Sequence, residues 1–254
     1  MKINQTNDDS MMNHLLESLP AEEFARIQPY LESVTLSLGE VLYESGDTMS
    51  HIYFPTSVII SLLYIMENGG TSEIGIAGNS GLIGMALYMG GETTSSRAVV
   101  QSAGNAVRMR SAEMKKEFQL GGIFQDILLR YAQSMITQIS QTAVCNRLHS
   151  VQDQLCRWLL INHDQLPGDT LVMTHDLIAN MLGVRREGVT QAAGFLQNNG
   201  YIKYVRGTVT MLDRPGLEKI CCECYKVVAE EYDRLLGKYL RKNKHRAKPV
   251  LAVV

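Results

Sequence analysis

The sequence predicts an α+β protein with an N-terminal antiparallel β-roll of the jelly-roll type, a long central helix and a C-terminal winged helix-turn-helix. Three observations predict this fold class. Between residues 34 and 100, short apolar runs with a period of two residues are separated by Gly, Asp and Asn. A helical pattern without internal glycine or proline then continues to about residue 148. The last third contains two helices joined by a glycine turn, followed by a hairpin.

Composition and charge limit the class of protein. The chain has 254 residues, of which 45% are hydrophobic and 20% charged, as in a folded water-soluble protein. No run approaches the length of a membrane span and the polar start does not resemble a signal peptide, so we expect a cytoplasmic protein with no membrane partner. The formal charge is −6 over residues 1–149 and +4 over residues 150–254. This asymmetry favours a polyanionic partner for the C-terminal part, although chance variation among solvated faces is the alternative.

The predicted roll spans residues 10–121. It opens with two short helices, in which apolar residues recur every three or four positions between Leu15 and Leu31. β-branched runs separated by turn residues follow, as is typical of an antiparallel sandwich or roll. Gly121 and Gly122 interrupt the pattern and separate the roll from the long helix.

The long helix is predicted over residues 122–148, and one apolar seam runs along it. Its members are spaced by three or four positions: Phe124, Leu128, Tyr131, Met135, Ile139 and Thr142. Such a seam forms either a stripe of the chain's own core or a two-helix coiled coil between subunits. A helix of this length rises about 37 Å, which is longer than the roll requires. We therefore favour the coiled coil and expect a dimerisation helix.

A winged helix-turn-helix is predicted over residues 149–236. Its two central helices meet at a tight turn at Gly183, and the second helix starts near Arg185. A hairpin with Arg206 at its tip follows and forms the wing. The remaining predicted elements are the two wing strands, a final helix and a basic flexible tail, at residues 202–205, 208–211, 215–236 and 237–254.

Two segments resemble parts of the Crp/Fnr family of transcription regulators. Leu38-Gly39-Glu40-Val41-Leu42, followed by Gly46-Asp47, is similar to the opening turn of cyclic-nucleotide-binding rolls. Val184-Arg185-Arg186-Glu187-Gly188-Val189-Thr190-Gln191 is similar to the family's recognition-helix motif. The resemblance covers about residues 15–236. It implies a sequence-specific regulator that binds double-stranded DNA as a homodimer, with a small-molecule effector of unknown identity and RNA polymerase as further candidate partners.

The resemblance implies that Arg186, Glu187 and Gln191 contact bases, and their chemistry agrees. Arginine can donate two parallel hydrogen bonds to guanine, glutamate can accept one from cytosine, and glutamine can form a bidentate pair with adenine. Glu187 and Gln191 lie four residues apart and share one helical face, with Thr190 beside them.

Two further arginines are expected to contact phosphates. Arg185 stands where the family usually has a Ser or Thr that caps the recognition helix. Arginine cannot accept from the free amides of the helix, so we expect a DNA phosphate to take that place and to pair with Arg185. Arg206, at the tip of the wing, is the other expected phosphate contact.

The expected effector pocket departs from the cyclic-nucleotide signature. Gly84-Met85 replaces Gly-Glu, so the carboxylate that would bind the ribose is missing. Ser96-Arg97 reverses the Arg-Ser order of the phosphate-binding segment, which turns Arg97 away from the pocket unless a bulge shifts the register. Thr142 is retained on the long helix where the base is contacted, but Ala143 replaces the second polar residue. We expect an effector other than cyclic AMP, or none. The alternative is a cyclic-AMP-responsive regulator with a shifted Arg97.

No catalytic residue, metal site or cofactor is predicted. The segment Cys221-Cys222-Glu223-Cys224 lacks a matching half with histidine, so it is weak evidence for zinc. No cysteine precedes Cys145 to hold an iron–sulfur cluster, and His51 alone is weak evidence for haem. Phosphate-loop, dinucleotide and nucleophile-elbow motifs are absent from the sequence. The alternative from another class is a sensory or scaffold protein whose winged helix contacts other proteins.

Overall fold

The computed structural model describes residues 12–165 and 168–244, and its N-terminal part is a roll. Two short helices, α1 (His14–Glu17) and α2 (Ala21–Ile27), precede the strands, and α3 (Ser111–Gln119) follows them. The strands are β1 (Glu32–Leu36), β2 (Val41–Tyr43), β3 (His51–Pro55), β4 (Ile59–Ile65), β5 (Thr71–Ala77), β6 (Arg97–Ser102) and β7 (Gly104–Arg110). They form two antiparallel sheets with the orders β1-β7-β3 and β2-β6-β4-β5.

The core of the roll is built from β-branched, aromatic and methionine side chains. Ile52 and Phe54 of β3, Ile60 of β4 and Met109 of β7 have no exposed surface. Residues two positions apart on a strand point to the same side, so Ile52 and Phe54 enter the core together. Leu15 of α1 packs in the same buried cluster, so this short N-terminal helix contributes to the core of the roll.

Helix α4 (Gly122–Leu148) buries the predicted seam within the chain's own core. Phe124, Leu128, Tyr131 and Met135 are at most 3% exposed and pack in the same cluster as the strands of the roll. The coiled-coil interpretation of this seam is therefore wrong. An apolar stripe can be buried either by the roll or by a partner helix, and periodicity alone does not distinguish the two.

A different face of α4 is exposed and has the spacing of a coiled-coil seam. Leu129 and Ile136 are 49% and 52% exposed. Steps of four and three residues define this exposed stripe, whose members are Leu129, Gln133, Ile136, Ser140, Ala143 and Arg147.

The winged helix-turn-helix has its own core and agrees with the predicted fold class. Its buried cluster contains Trp158, Ile178, Val189 and Leu196. The wing is a three-stranded sheet, whereas the sequence predicted two strands. The elements are α5 (Val151–Gln165), β8 (Thr170–Val172), α6 (His175–Leu182), α7 (Arg186–Asn198), β9 (Ile202–Val205), β10 (Thr208–Met211) and α8 (Arg214–Ile220), with the sheet order β8-β10-β9.

The predicted final helix is two helices, because the chain bends at Cys221-Cys222. Helix α9 (Glu223–Lys244) then runs antiparallel to α4, as the contacts of Tyr239 with Asp126 and of Cys222 with Cys145 show. The predicted start of a flexible tail at residue 237 is wrong, since Tyr239 is buried in the core of the roll. The part of the predicted tail after residue 244 lies outside the described residues. Within those residues, no helix combines the length and apolar character needed to cross a lipid bilayer.

A buried chain of hydrogen bonds joins the roll to the winged helix. Ser61 Oγ lies 2.6 Å from Glu73 Oε2 and 2.5 Å from Gln101 Oε1. Gln101 Nε2 donates to Asn162 Oδ1 at 2.6 Å, and Asn162 Nδ2 donates to the carbonyl oxygen of Trp158 at 2.8 Å. Trp158 Nε1 closes the chain by donating to Glu73 Oε1 at 2.8 Å. Burial raises the pKa of the Glu73 carboxyl to about 7.

Candidate DNA interface and effector pocket

Helices α6 and α7 form the helix-turn-helix, and local sequence signals fix its turn. Thr174 caps α6, because its hydroxyl accepts a hydrogen bond from the amide of Leu177 at 3.3 Å. Helix α6 ends at Gly183, whose φ of 67° lies in the left-handed region that favours glycine. Helix α7 begins three residues later at Arg186.

One face of α7 is buried and the opposite face is exposed. The buried side chains belong to the core of the winged helix: Val189, Ala192, Ala193 and Leu196. Steps of three and four residues bring the sequence-predicted residues together on the exposed face and at its start: Arg185, Arg186, Glu187, Thr190 and Gln191.

Two contacts to α6 restrain this exposed face differently. Arg186 Nε lies 3.5 Å from Asp176 Oδ1, and both side chains are 63% exposed. An exposed ion pair of this kind contributes little to stability, so Arg186 is easily released to another acceptor. The Thr190 hydroxyl donates to the carbonyl oxygen of Arg186 at 3.0 Å and lies 3.1 Å from His175 Nδ1. Thr190 therefore links α7 to α6.

Arg185 is the N-cap residue of α7 and makes no capping hydrogen bond with its side chain. Its backbone is extended, with φ −76° and ψ 144°. The first amides of α7 consequently lack the side-chain acceptor that Ser or Thr would supply. This end of the helix therefore combines free donors, the positive end of the helix dipole and an exposed guanidinium, all of which favour an anion.

The wing hairpin turns through Arg206 and Gly207, between the paired residues Val205 and Thr208. Their φ values of 48° and 78° are those of a type I′ turn. Arg206 is the one non-glycine residue with a positive φ within the described ranges, and its side chain is exposed. The ring of Tyr204 stacks on that of His175 with 4.2 Å between centroids, which fixes the wing against α6.

A cavity of about 410 Å³ lies in the roll and reaches Ile139 of α4. Three of the predicted pocket residues line it, namely Gly84, Met85 and Ser96. Its walls are mainly apolar, and hydroxyl groups such as that of Tyr43 supply the polar contacts. Among the residues that the structure describes, no charged side chain lines this cavity.

Arg97 and Thr142 lie outside this cavity. Arg97 Nη2 pairs with Glu44 Oε1 at 3.1 Å. Thr142 Oγ1 accepts a hydrogen bond from Arg157 Nη1 at 3.1 Å and donates to the carbonyl oxygen of Gln138 at 2.9 Å. The prediction that Thr142 lines the effector pocket is wrong, because α5 packs over this turn of α4 and engages its hydroxyl.

The structure also brings together four side chains that the sequence analysis left apart. Cys145 and His149 lie at the end of α4, and Cys222 and Cys224 lie at the start of α9. No histidine stands near the Cys221-to-Cys224 segment in the sequence, whereas the antiparallel packing of α9 on α4 supplies His149. The available signal was the spacing of Cys145 and His149, which places both on one helical face.

Two protein-family models match the chain. The cyclic nucleotide-binding domain model matches residues 33–119. The Crp-like helix-turn-helix domain model matches residues 153–220. Together they cover more than half of the sequence. A comparison with curated protein sequences finds no significant match.

Solved structures share the fold at low sequence identity. FixK2 from Bradyrhizobium japonicum has a TM-score of 0.66 at 11% identity, covering 76% of this chain and 98% of that chain. TTHB099, a CRP-family transcriptional regulator from Thermus thermophilus, has a TM-score of 0.59 at 16% identity, covering 73% and 95%. CLP, the c-di-GMP-responsive global regulator from Xanthomonas campestris, has a TM-score of 0.59 at 16% identity, covering 76% and 100%.

A roll with a ligand-sized cavity, a long helix and a winged helix-turn-helix, in this order, define the architecture of a DNA-binding transcription regulator. Both family models match the corresponding parts of the chain. The chain belongs to the Crp/Fnr family, whose members are transcription regulators rather than enzymes.

Proposed function

We propose that two copies of this regulator bind double-stranded DNA together and that their α7 helices read two half-sites in the major groove. The division of α7 into two faces carries the proposal. One face is buried in the domain core, and the other presents Arg186 and Glu187 on its first turn and Gln191 on the next. A recognition helix needs such a free polar face to reach base edges.

The contacts around α7 support a separate role for each side chain. Arg186 reads guanine after leaving its weak pair with Asp176, Glu187 accepts from cytosine and Gln191 pairs with adenine. Thr190 supports the helix, since its hydroxyl is already engaged. Arg185 and Arg206 bind phosphates, the first together with the free amides of α7 and the second from the wing. These contacts set the register on the DNA.

We assign the dimer contact to the exposed stripe of α4. Leu129, Ile136 and Ala143 recur every seven residues, as apolar positions of a coiled coil do. Polar residues alternate with them, which lowers the stability of such an interface but specifies its register. In the dimer, the two α7 helices must lie about 34 Å apart, which is one turn of DNA. A change in how the two α4 helices cross would alter this distance.

The effector cavity favours an uncharged ligand. Its lining offers hydroxyl groups and apolar surface, including Met49, Met85 and Met89, and methionines adapt to irregular ligands. The volume of about 410 Å³ lies in the usual range for small-molecule sites. Cyclic AMP and the cyclic di-GMP to which CLP responds are anions, for which this cavity supplies no lining cation among the described residues.

The cellular setting follows from DNA as the partner. We propose that the protein works in the cytoplasm, where the DNA lies. If it activates transcription, RNA polymerase is the second macromolecular partner that the family implies.

The salt dependence of binding tests this proposal against a winged helix that contacts proteins instead. The full chain is titrated against a labelled duplex whose sequence the chain has selected from random DNA. Binding is followed by fluorescence anisotropy at rising NaCl concentrations. Phosphate contacts from two protomers predict that the logarithm of the binding constant falls steeply and linearly with the logarithm of salt concentration. A flat dependence, or no binding at low salt, would favour protein contacts.

A further inference from the structure

Four potential metal ligands converge where the long helix ends and the winged helix begins. They are Cys145 Sγ, His149 and the Sγ atoms of Cys222 and Cys224, and their ligand atoms all lie within 4.8 Å of one another. Two come from one turn of α4 and two from the start of α9, so elements 73 or more residues apart in the sequence build the group. Cys145 and Cys224 are buried, whereas His149 and Cys222 are half-buried.

The distances within this group match tetrahedral coordination by one ion. Zinc bonds of about 2.3 Å to sulfur and 2.0–2.1 Å to nitrogen place two sulfurs about 3.8 Å apart, and a sulfur and a nitrogen about 3.6 Å apart. Cys145 Sγ and Cys222 Sγ are separated by 3.7 Å. Cys224 Sγ and His149 Nδ1 are separated by 3.5 Å. The distance between the Cys145 and Cys222 sulfurs is far longer than a disulfide bond, which is about 2 Å.

The surroundings of His149 and Cys145 also suit a metal. His149 Nδ1 faces the cysteines, and its Nε2 lies 3.5 Å from Glu223 Oε2. With Nδ1 as the ligand, Nε2 carries the proton and faces this carboxylate, and a carboxylate is the usual outer partner of a metal-bound histidine. Three thiolates around a divalent ion leave one negative charge. The guanidinium of the almost fully buried Arg157 lies one turn of α4 away, where its Nη1 donates to Thr142 Oγ1.

We propose that Cys145, His149, Cys222 and Cys224 bind one Zn²⁺ ion in a closed structural site. Three thiolates and one imidazole are the ligands of tetrahedral zinc, whereas Mg²⁺ and Ca²⁺ require oxygen. A spread of 4.8 Å fits a single ion, and an iron–sulfur cluster with several irons needs its ligands further apart. The half-buried Cys221 lies outside the group and provides a control.

The position of the site gives the ion a consequence for DNA binding. The chain leaves His149 to enter α5, and it returns from α8 to Cys222. The ion therefore fastens both the entry and the exit of the winged helix to the end of α4. Removing the metal, or oxidising its thiolates, releases this attachment. We expect the orientation of α7, and with it the affinity for DNA, to depend on the metal.

Metal content is the first test. The full chain is purified from zinc-supplemented cells, dialysed against metal-free buffer and analysed by plasma mass spectrometry. We expect one zinc ion per native chain. The ion should be retained in the control variants Cys221→Ser and Cys156→Ser, and it should be lost in Cys145→Ser and Cys222→Ser. His149→Cys should retain the ion, because a thiolate replaces the imidazole. Glu223→Gln should weaken zinc binding by roughly 10- to 100-fold in chelator competition. Zinc retained in the Cys145→Ser, Cys222→Ser double variant would overturn the proposal.

A second test uses the unmutated chain, so it does not depend on the folding of a variant. Co²⁺ added to the metal-free protein should give the strong visible absorption of tetrahedral cobalt and charge-transfer bands from thiolates. Bound zinc should also protect Cys145, Cys222 and Cys224 from alkylation more than Cys221, as measured by peptide mass spectrometry. An octahedral cobalt spectrum would refute the site. Alkylation of the four cysteines to the same extent with zinc as without it would also refute the site.

Discussion

At the scale of single residues, the hydrogen bonds around Glu73 determine where one buried proton lies. Asn162 Nδ2 donates to a carbonyl oxygen, so its Oδ1 must accept from Gln101 Nε2. Gln101 then presents its oxygen to Ser61, and the single hydroxyl proton of Ser61 goes to that oxygen. The same hydroxyl also lies 2.6 Å from Glu73 Oε2 as its donor, but one proton cannot serve both acceptors, so protonation of Glu73 lets both contacts be hydrogen bonds.

Glu73→Gln should remove a pH dependence of stability. Burial raises the pKa of Glu73 from 4.5 to about 7 in the folded chain. The stabilisation from this raised pKa is complete below pH 4.5 and is lost as the pH rises through about 7. Glutamine matches the protonated carboxyl, so its hydrogen bonds persist at all pH values. Urea unfolding should show that the native protein loses up to about 3 kcal/mol relative to the variant between pH 5 and pH 8. A difference independent of pH would contradict the buried proton.

Arg186 and Arg206 should differ in what they contribute to DNA binding. Arg186→Ala should weaken binding by about 1–3 kcal/mol per half-site and relax the preference at one base pair. Arg206→Asn should weaken all sequences about equally and make the salt slope shallower. Asparagine is the better replacement at Arg206 because it tolerates the positive φ of the turn. Anisotropy titrations on the selected site and on single-base variants separate the two effects. Unchanged DNA binding by Arg186→Ala would show that the residues of α7 assigned to base contacts are the wrong ones.

At the scale of elements, the two faces of α4 give neighbouring residues opposite roles. Ile136 is 52% exposed on the stripe assigned to the dimer, whereas Met135 is 2% exposed in the core of the roll. Ile136→Asp should therefore yield a folded monomer, since two like charges meet in the dimer contact. Met135→Asp should destabilise the fold, because a carboxylate would be buried without a partner.

Light scattering with circular dichroism distinguishes these outcomes. A native chain that is monomeric at micromolar concentration, or an Ile136→Asp variant that remains a stable dimer, would contradict the assigned interface.

Local patterns made the helix-turn-helix predictable from the sequence. The signals are local: Thr174 caps α6, Gly183 ends it, and buried and exposed residues alternate along α7. The family motif covers the same side chains of α7 that are exposed. The antiparallel roll was also predictable, because the change from a period of two to a helical period marks its end.

Other features depended on packing between distant elements. Periodicity located the seam from Phe124 to Met135 but not the surface that covers it. The role of Thr142 depends on Arg157 of α5, and the second half of the cysteine cluster lies on α4, far from Cys222 in the sequence. Strand β8 is only three residues long, so its pattern was too short to recognise.

At the scale of the whole molecule, the sensory cavity should not respond to cyclic AMP. Met85 supplies no carboxylate for the ribose hydroxyl, and a hydrogen bond to a charged group contributes about 1.5–3 kcal/mol. Arg97 pairs with Glu44, which leaves the neutral Ser96 at the expected position of the phosphate. Calorimetric titration should detect weak binding or none, with Arg97→Ala indistinguishable from the native chain. A dissociation constant in the low micromolar range that is lost in Arg97→Ala would contradict this account of the pocket.

Selection of bound sequences from random DNA by the full chain shows whether a dimer of this regulator reads DNA through two α7 helices. We expect enrichment of an inverted repeat whose half-site centres lie about one helical turn, or 34 Å, apart. The same selection with Arg186→Ala should lose the preference at one symmetric pair of positions. Enrichment of a single asymmetric half-site, or of no sequence by the native chain, would contradict the account.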